Sequence, residues 1–287
     1  MKKILISLVV LLVIAPAHRA LAWGGWAHRF IAYTAEQYLD PEVKTKVEKY
    51  LGSSIVDHCT WMDWVRPIVR DENHPQHDYY MAYAHTLRCH MMTINKDMKV
   101  SNERAYNNCG NLLPNLKKSI ANLKNHRNLT DSAVVVNLKC AIHMLEDMHC
   151  PSHIYFTEFP DCFPTPGSSS SSRRDCFEMS YEGEATLYHK VWDGRSLLEL
   201  YPEYNEDYDK FRAKLDKFSS KKRAKICEGT IEEWAEGNAR ACRAIYDWAK
   251  PGDNIDRNFL LKHRKLAILQ YRRAAYRLAY MLNETMK

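Results

Sequence analysis

The stretch TDSAVVVNLKCAIHMLEDMHCPSH, residues 130–153, decides how this chain is read. From 130 to 149 the apolar residues recur at three- and four-residue spacing, the period of one helix face, and Thr130 or Asp131 offers the side-chain oxygen that caps a first turn. Pro151 ends the run, because it lacks the amide hydrogen and its ring clashes with the preceding turn. Near the end His143 and Asp147 stand four apart, so imidazole and carboxylate share a face within reach of one ion. His153, beyond the proline, can turn back to the same region. A surface His–Asp pair gives the same spacing, so this stretch alone leaves both readings open.

Working outward, the helical period continues through 27–39, 42–51, 112–125, 230–250 and 258–283, and no internal repeat is visible. Residues 160–176, with Pro, Gly and Ser clusters, read as a surface loop inside the domain. The expectation is a single all-α domain spanning 23–287. The first 22 residues read as a secretory signal: Lys2 and Lys3, an apolar run too short to span a membrane, and the small-x-small site Ala20–Ala22. The mature chain then starts at Trp23, outside the cytoplasm and with no lipid anchor. The formal net charge is +6, half of it from Lys2, Lys3 and Arg19 in the leader. That is too mild for binding nucleic acid by charge alone, so any phosphate affinity must be local. Nine cysteines in an exported chain suggest disulfides. Cys162 and Cys176 could staple the Ser-rich loop, and Cys242 could reach Cys89 or Cys109. Two Asn-x-Thr sequons begin at Asn128 and Asn283.

The His–Asp spacing recurs in HKVWD, where His189 and Asp193 are again four apart. Such pairs in apolar surroundings are costly unless something compensates them, and zinc takes both neutral imidazole and carboxylate. Asp63 sits among tryptophans in TWMDWVR, where a carboxylate needs an ion or a salt bridge. Arg66 could be that partner or could reach over the same site. His90, in RCHMMTI, reads by itself as a core histidine ahead of a ligand. WGGWAH reads by itself as an ordered N-terminus ahead of a metal site, although cleavage after Ala22 gives Trp23 a free amine five residues before His28, with two glycines permitting a tight chain. His74, His77 and His85 receive no role.

Taken together, an N-terminal Trp with a His five on, an Asp in W-x-D, a lone His, then H-x3-D-x5-H and H-x3-D resembles the S1/P1 nuclease family, across the whole mature chain. The resemblance implies a mostly helical fold of the phospholipase C/P1 nuclease type. It also implies three zinc ions and hydrolysis of single-stranded DNA or RNA to 5′-nucleotides, with removal of 3′-phosphates. Carried over by position, Asp63, His90, His143 and Asp147 would hold one zinc. Asp147 would bridge to a second, completed by His28 and the amine and carbonyl of Trp23. His153, His189 and Asp193 would hold the third, and Arg66 would lie near the phosphate. Hydroxide between the first two zincs would be the nucleophile, and the third would stabilise the departing 3′-oxygen.

Three departures from the family pattern stand out. Glu146 replaces the usual Gly before the bridging Asp, the family's GGN segment has no counterpart in 168–186, and Met91 and Thr93 occupy base-reading positions. Two rival readings remain at this level. One is a zinc-dependent phospholipase C-like phosphoesterase, for which Trp64 and Tyr79 would line an acyl pocket rather than stack bases. The other is a non-catalytic zinc-binding helical protein.

Overall fold

A computed structural model describes residues 24–83, 87, 90–102, 112–159, 162, 176–204 and 207–287. At its centre is the helix Asp131–Asp147, capped by the Thr130 hydroxyl, which accepts from the Ala133 amide at 3.3 Å. Every residue of this helix from Cys140 onward is buried, including His143, Glu146 and Asp147. A last turn with no solvent face explains why its polar residues need partners inside the protein. The helix packs against Leu112–Lys124, Trp61–Arg70, Pro41–Leu51 and Gly25–Glu36, and against the C-terminal helix Arg257–Thr285.

The C-terminal helix starts at Asp256, whose carboxylate accepts from the Phe259 amide at 3.1 Å, and it runs along Gly25–Glu36. The hydroxyls of Thr34 and Tyr271 bond to each other across that contact. The same long helix and the helix Ile231–Cys242 secure the segment just after the central one. Gln270 Nε2 donates to the His149 carbonyl at 3.0 Å, and Asn238 Nδ2 donates to the Met148 carbonyl at 3.3 Å. Buried carbonyls need donors, and these two amides supply them just past the helix end.

The mostly helical fold agrees with the expectation from periodicity, with three local differences. The 230–250 pattern is two helices, Ile231–Cys242 and Ile245–Trp248. Around His189 one helical turn, Tyr188–Lys190, passes into a π-helical turn, Val191–Arg195. Two small sheets are present. In the first, β1 (Met92–Ile94) pairs antiparallel with β2 (Val100–Ser101) and parallel with β3 (Ile154–Phe156). In the second, β4 (Glu178–Tyr181) pairs antiparallel with β5 (Glu184–Leu187) and parallel with β6 (Asn254–Ile255). The two-residue β4–β5 turn places Glu182 at φ 51° and Gly183 at φ 84°, the twist that a tight hairpin needs.

The strands are too short to show a period, yet they position the site. β1 follows His90, β3 follows His153, and their pairing fixes the two segments to each other. β5 leads directly into Tyr188 and His189. Most of the Ser-rich loop, together with Cys89 and Cys109, lies outside the described residues. Among the described cysteines no disulfide is formed.

Leu138 is fully buried on the central helix. Leu138→Ala removes its side chain from a close-packed core and should lower the unfolding free energy by about 2–5 kcal/mol. Urea unfolding at matched metal content would measure this, and a change below about 1 kcal/mol would show that the helix is not packed as described.

Candidate metal centre

The central helix, the 3-10 turn Pro151–His153 after it, and the π-helical turn Val191–Arg195 converge with Gly25–Glu36 and Trp61–Arg70 on one buried cluster. Asp147 lies at its middle. Its Oδ1 is 3.5 Å from His28 Nε2 and 3.2 Å from His153 Nδ1, while its Oδ2 is 3.2 Å from His143 Nε2. The two carboxylate oxygens thus face different imidazoles, the arrangement of a ligand shared between two ions.

On one side, His143 Nε2 is 3.6 Å from Asp63 Oδ1, and the His28 and His143 rings stack at 4.5 Å. Donor atoms of His28, Asp63 and His143 lie within 4.8 Å of one another, a set able to hold a metal ion. His143 Nδ1 donates to the Cys59 carbonyl at 2.7 Å, which leaves Nε2 aimed into the cluster. His28 is oriented by Glu146, whose Oε2 bonds His28 Nδ1 and leaves Nε2 toward Asp147. Arg66 Nη1 pairs with Asp63 Oδ1 at 2.9 Å, and its Nε donates to the Leu87 carbonyl at 3.1 Å. Arg66 is thus the salt-bridge partner of Asp63.

On the other side, His153 Nε2 is 3.4 Å from Asp193 Oδ1 and 3.3 Å from His189 Nε2. His189 Nε2 is itself 3.3 Å from Asp193 Oδ2. The π-helical turn keeps the pair within ligand distance even though the backbone is not α-helical there. His90 is buried, with its ring 5.8 Å from that of His153 rather than in the donor set of Asp63 and His143. Trp23 lies outside the described residues.

The residues fit a metal on an observation independent of spacing. His28 Nε2, Asp63 Oδ2, His143 Nε2, both oxygens of Asp147 and Nδ1 of His153 are buried without a hydrogen-bond partner. Buried polar atoms of native proteins are almost always satisfied. So many orphans pointing at one another call for cations, and His with carboxylate is a donor set that zinc accepts.

Electrostatics in the metal-free protein point the same way. Burial alone would push the Asp147 carboxyl up, but the imidazoles of His143 and His153 hold it well below the usual range. For His153, burial works downward while Asp147 and Asp193 outweigh it, so the imidazole is pushed up to about 9. Burial raises Glu146 to about 7 against the opposing pull of His28.

Sequence reading flagged Glu146 only as an added carboxylate, and it left His149 without a role. The latter is not part of the cluster. Burial and the Arg277 charge hold His149 well below its ordinary value. It donates from Nδ1 to the Leu145 carbonyl at 2.8 Å, and its Nε2 lies 3.0 Å from Arg277 Nη1. The signal that could have found this is the arginine spacing in the final helix, where Arg273 and Arg277 share a face one turn apart.

The S1/P1 Nuclease family profile matches residues 23–287. The chain belongs to the S1/P1 nuclease family. A search of curated proteins found no match. S1/P1 nucleases are metal-dependent hydrolases of nucleic acids, typically extracellular. No helix among the described residues is long and apolar enough to cross a membrane.

The raised His153 value has a measurable consequence once metal is stripped by a chelator. Its folded-state value lies above the ordinary 6.5, so its pairing with Asp147 and Asp193 stabilises fully below pH 6.5 and is lost as pH rises through about 9. The Tm of metal-free protein should fall across that window. The zinc-loaded protein should not follow it, because its imidazoles are already neutral ligands. Parallel calorimetry of both forms decides the point, and a flat metal-free profile would contradict the ion-pair cluster.

Proposed function

We propose that the protein is an exported zinc-dependent phosphodiesterase. It cleaves single-stranded DNA or RNA to 5′-nucleotides and removes 3′-phosphates at the same site. The observation that carries this reading is the division of the two Asp147 oxygens between His28 and His143. Metal storage has no need of a shared ligand, whereas hydrolysis at a pair of ions does.

Three zinc ions suit the donors. Asp63, His143 and Asp147 would hold the first; the family pattern adds His90, whose ring stands 5.8 Å from that of His153 and outside the Asp63–His143 donor set. The second belongs to His28 and Asp147 with the amine and carbonyl of Trp23, and the third to His153, His189 and Asp193. Bound zinc supplies Lewis acidity toward phosphoryl oxygen and brings the pKa of water near neutrality. The remaining steps are the work of the chain. Asp147 fixes the spacing of two sites, and Glu146 and the Cys59 carbonyl hold His28 and His143 in the tautomer that presents Nε2. Arg66 is held by Asp63 and the Leu87 carbonyl, where its guanidinium can neutralise charge developing on phosphoryl oxygens.

Single-stranded substrate is supported by two open aromatics on the helix that carries Arg66 and on its neighbour. Trp64 is 58% exposed on the Trp61–Arg70 helix, and Tyr79 is 59% exposed on the neighbouring turn His77–Met81. Open aromatic faces suit base stacking, which does not depend on sequence. A phospholipase's acyl pocket would bury them.

The deciding assay is zinc content together with release of acid-soluble nucleotides from denatured DNA and from RNA. About three zincs with nucleotide release is expected; the same zinc content with cleavage of phosphatidylcholine vesicles alone would replace this reading with the phospholipase one. Arg66→Ala should lower kcat/KM by about 10²–10³-fold with metal content unchanged. Asp147→Asn should cost more and release metal, because it disturbs two sites rather than one phosphate contact. Equal losses with full metal content in both variants would mean that Asp147 is not shared. One extra residue before Trp23 should remove one zinc, since an amide nitrogen is a poor ligand.

A further inference from the structure

Cys150 occupies the turn between two of the proposed ligands, Asp147 and His153. Its amide donates to the Asp147 carbonyl at 3.0 Å, and its carbonyl accepts from the His153 amide at 3.1 Å, so the backbone fixes where the thiol stands. The side chain is fully buried. Its Sγ lies 3.5 Å from Asp193 Oδ1 and 3.3 Å from the Ser152 hydroxyl. Sγ and donor atoms of His153 and Asp193 all lie within 4.8 Å of one another.

We propose that Cys150 is a direct ligand, as thiolate, of the metal held by His153, His189 and Asp193. The separations carry the argument. With zinc–sulfur bonds of about 2.3 Å and zinc–nitrogen or –oxygen bonds of about 2.0 Å, tetrahedral ligands stand about 3.3–3.6 Å apart. The sulfur–carboxylate separation is 3.5 Å, His153 to Asp193 is 3.4 Å, and His189 lies 3.3 Å from both of them. The sulfur thus stands at ligand spacing from the Asp193 carboxylate and within 4.8 Å of a donor atom of His153, where those two groups face each other. As the sulfur–metal bond forms, the thiol proton leaves to solvent. No oxidation or reduction takes place.

The consequence separates this centre from the other two. Cys, two His and Asp make a closed four-ligand shell, the pattern of structural zinc, whereas catalytic zinc keeps a position open for water or substrate. Thiolate also reduces the positive charge of the ion and favours softer metals. In this chain the third ion is then a fixed anchor for the turn 150–153 and the π-helical turn. The burden of neutralising the phosphate falls on the Asp147 pair and Arg66.

This inference rests on the reading that His153, His189 and Asp193 hold a metal, and the test separates the two. Zinc-edge X-ray absorption on the full-length zinc-loaded protein needs no variant. About one sulfur neighbour per three zincs, at about 2.3 Å, is expected. Full zinc content with only nitrogen and oxygen neighbours would overturn the role of Cys150 and leave the metal site standing. Absence of zinc from His153, His189 and Asp193 would overturn both. Cadmium substitution gives a second readout, a thiolate-to-cadmium charge-transfer band in the ultraviolet that should disappear in Cys150→Ser. The same variant should weaken metal binding at that site by more than the about 10–100-fold that outer-shell changes cause. Retention of the band in the variant would assign the sulfur to another cysteine and refute the proposal.

Discussion

Asp147 has no exposed surface, and its two oxygens face the imidazoles of His28, His143 and His153. Burying an unpaired carboxylate inside a helical core is among the more expensive things a fold can do. Here three imidazoles compensate it, His143 and His153 from its own stretch of chain and His28 from the helix Gly25–Glu36. The helix that carries Asp147 is buried through its last two turns, and the final helix donates through Gln270 to the His149 carbonyl just beyond it. Much of the architecture can be understood as the means of placing this one carboxylate.

Around it, two of the three imidazoles are turned by a second contact from outside the donor set. Glu146 holds His28, and the Cys59 carbonyl holds His143. His149, two residues after Asp147, is held by Arg277 and the Leu145 carbonyl and so is kept out of the cluster although it stands within the same histidine-rich stretch. Histidine count is therefore a poor guide to ligand count. What matters is which ring nitrogen is already engaged, because the other nitrogen is then the one left to bind.

The two small sheets have little core of their own, yet they set distances that helices could not. β1 and β3 run parallel beside the His90 and His153 segments, and the β4–β5 hairpin delivers His189 to His153. The π-helical turn from Val191 to Arg195 widens the backbone between His189 and Asp193 while their side chains stay 3.3 Å apart. Such turns are often found at functional sites, and this one lies under the third donor set.

The helical fold was legible in the sequence because a helix face repeats every three to four residues, and long amphipathic runs such as 131–147 and 257–285 carry that period unambiguously. The His143–Asp147 and His189–Asp193 pairs were legible for the same local reason. The sheets were not, since two- to four-residue strands are too short to establish a period and are stabilised by partners far away in sequence. Nor did spacing reveal that Glu146 would lock His28, that Arg66 would bond the Leu87 carbonyl besides pairing with Asp63, or that Cys150 would stand 3.5 Å from Asp193. Those contacts join residues as much as 118 positions apart. Sequence periodicity fixes what a segment does with its near neighbours, and only packing decides which distant side chain completes a buried charge.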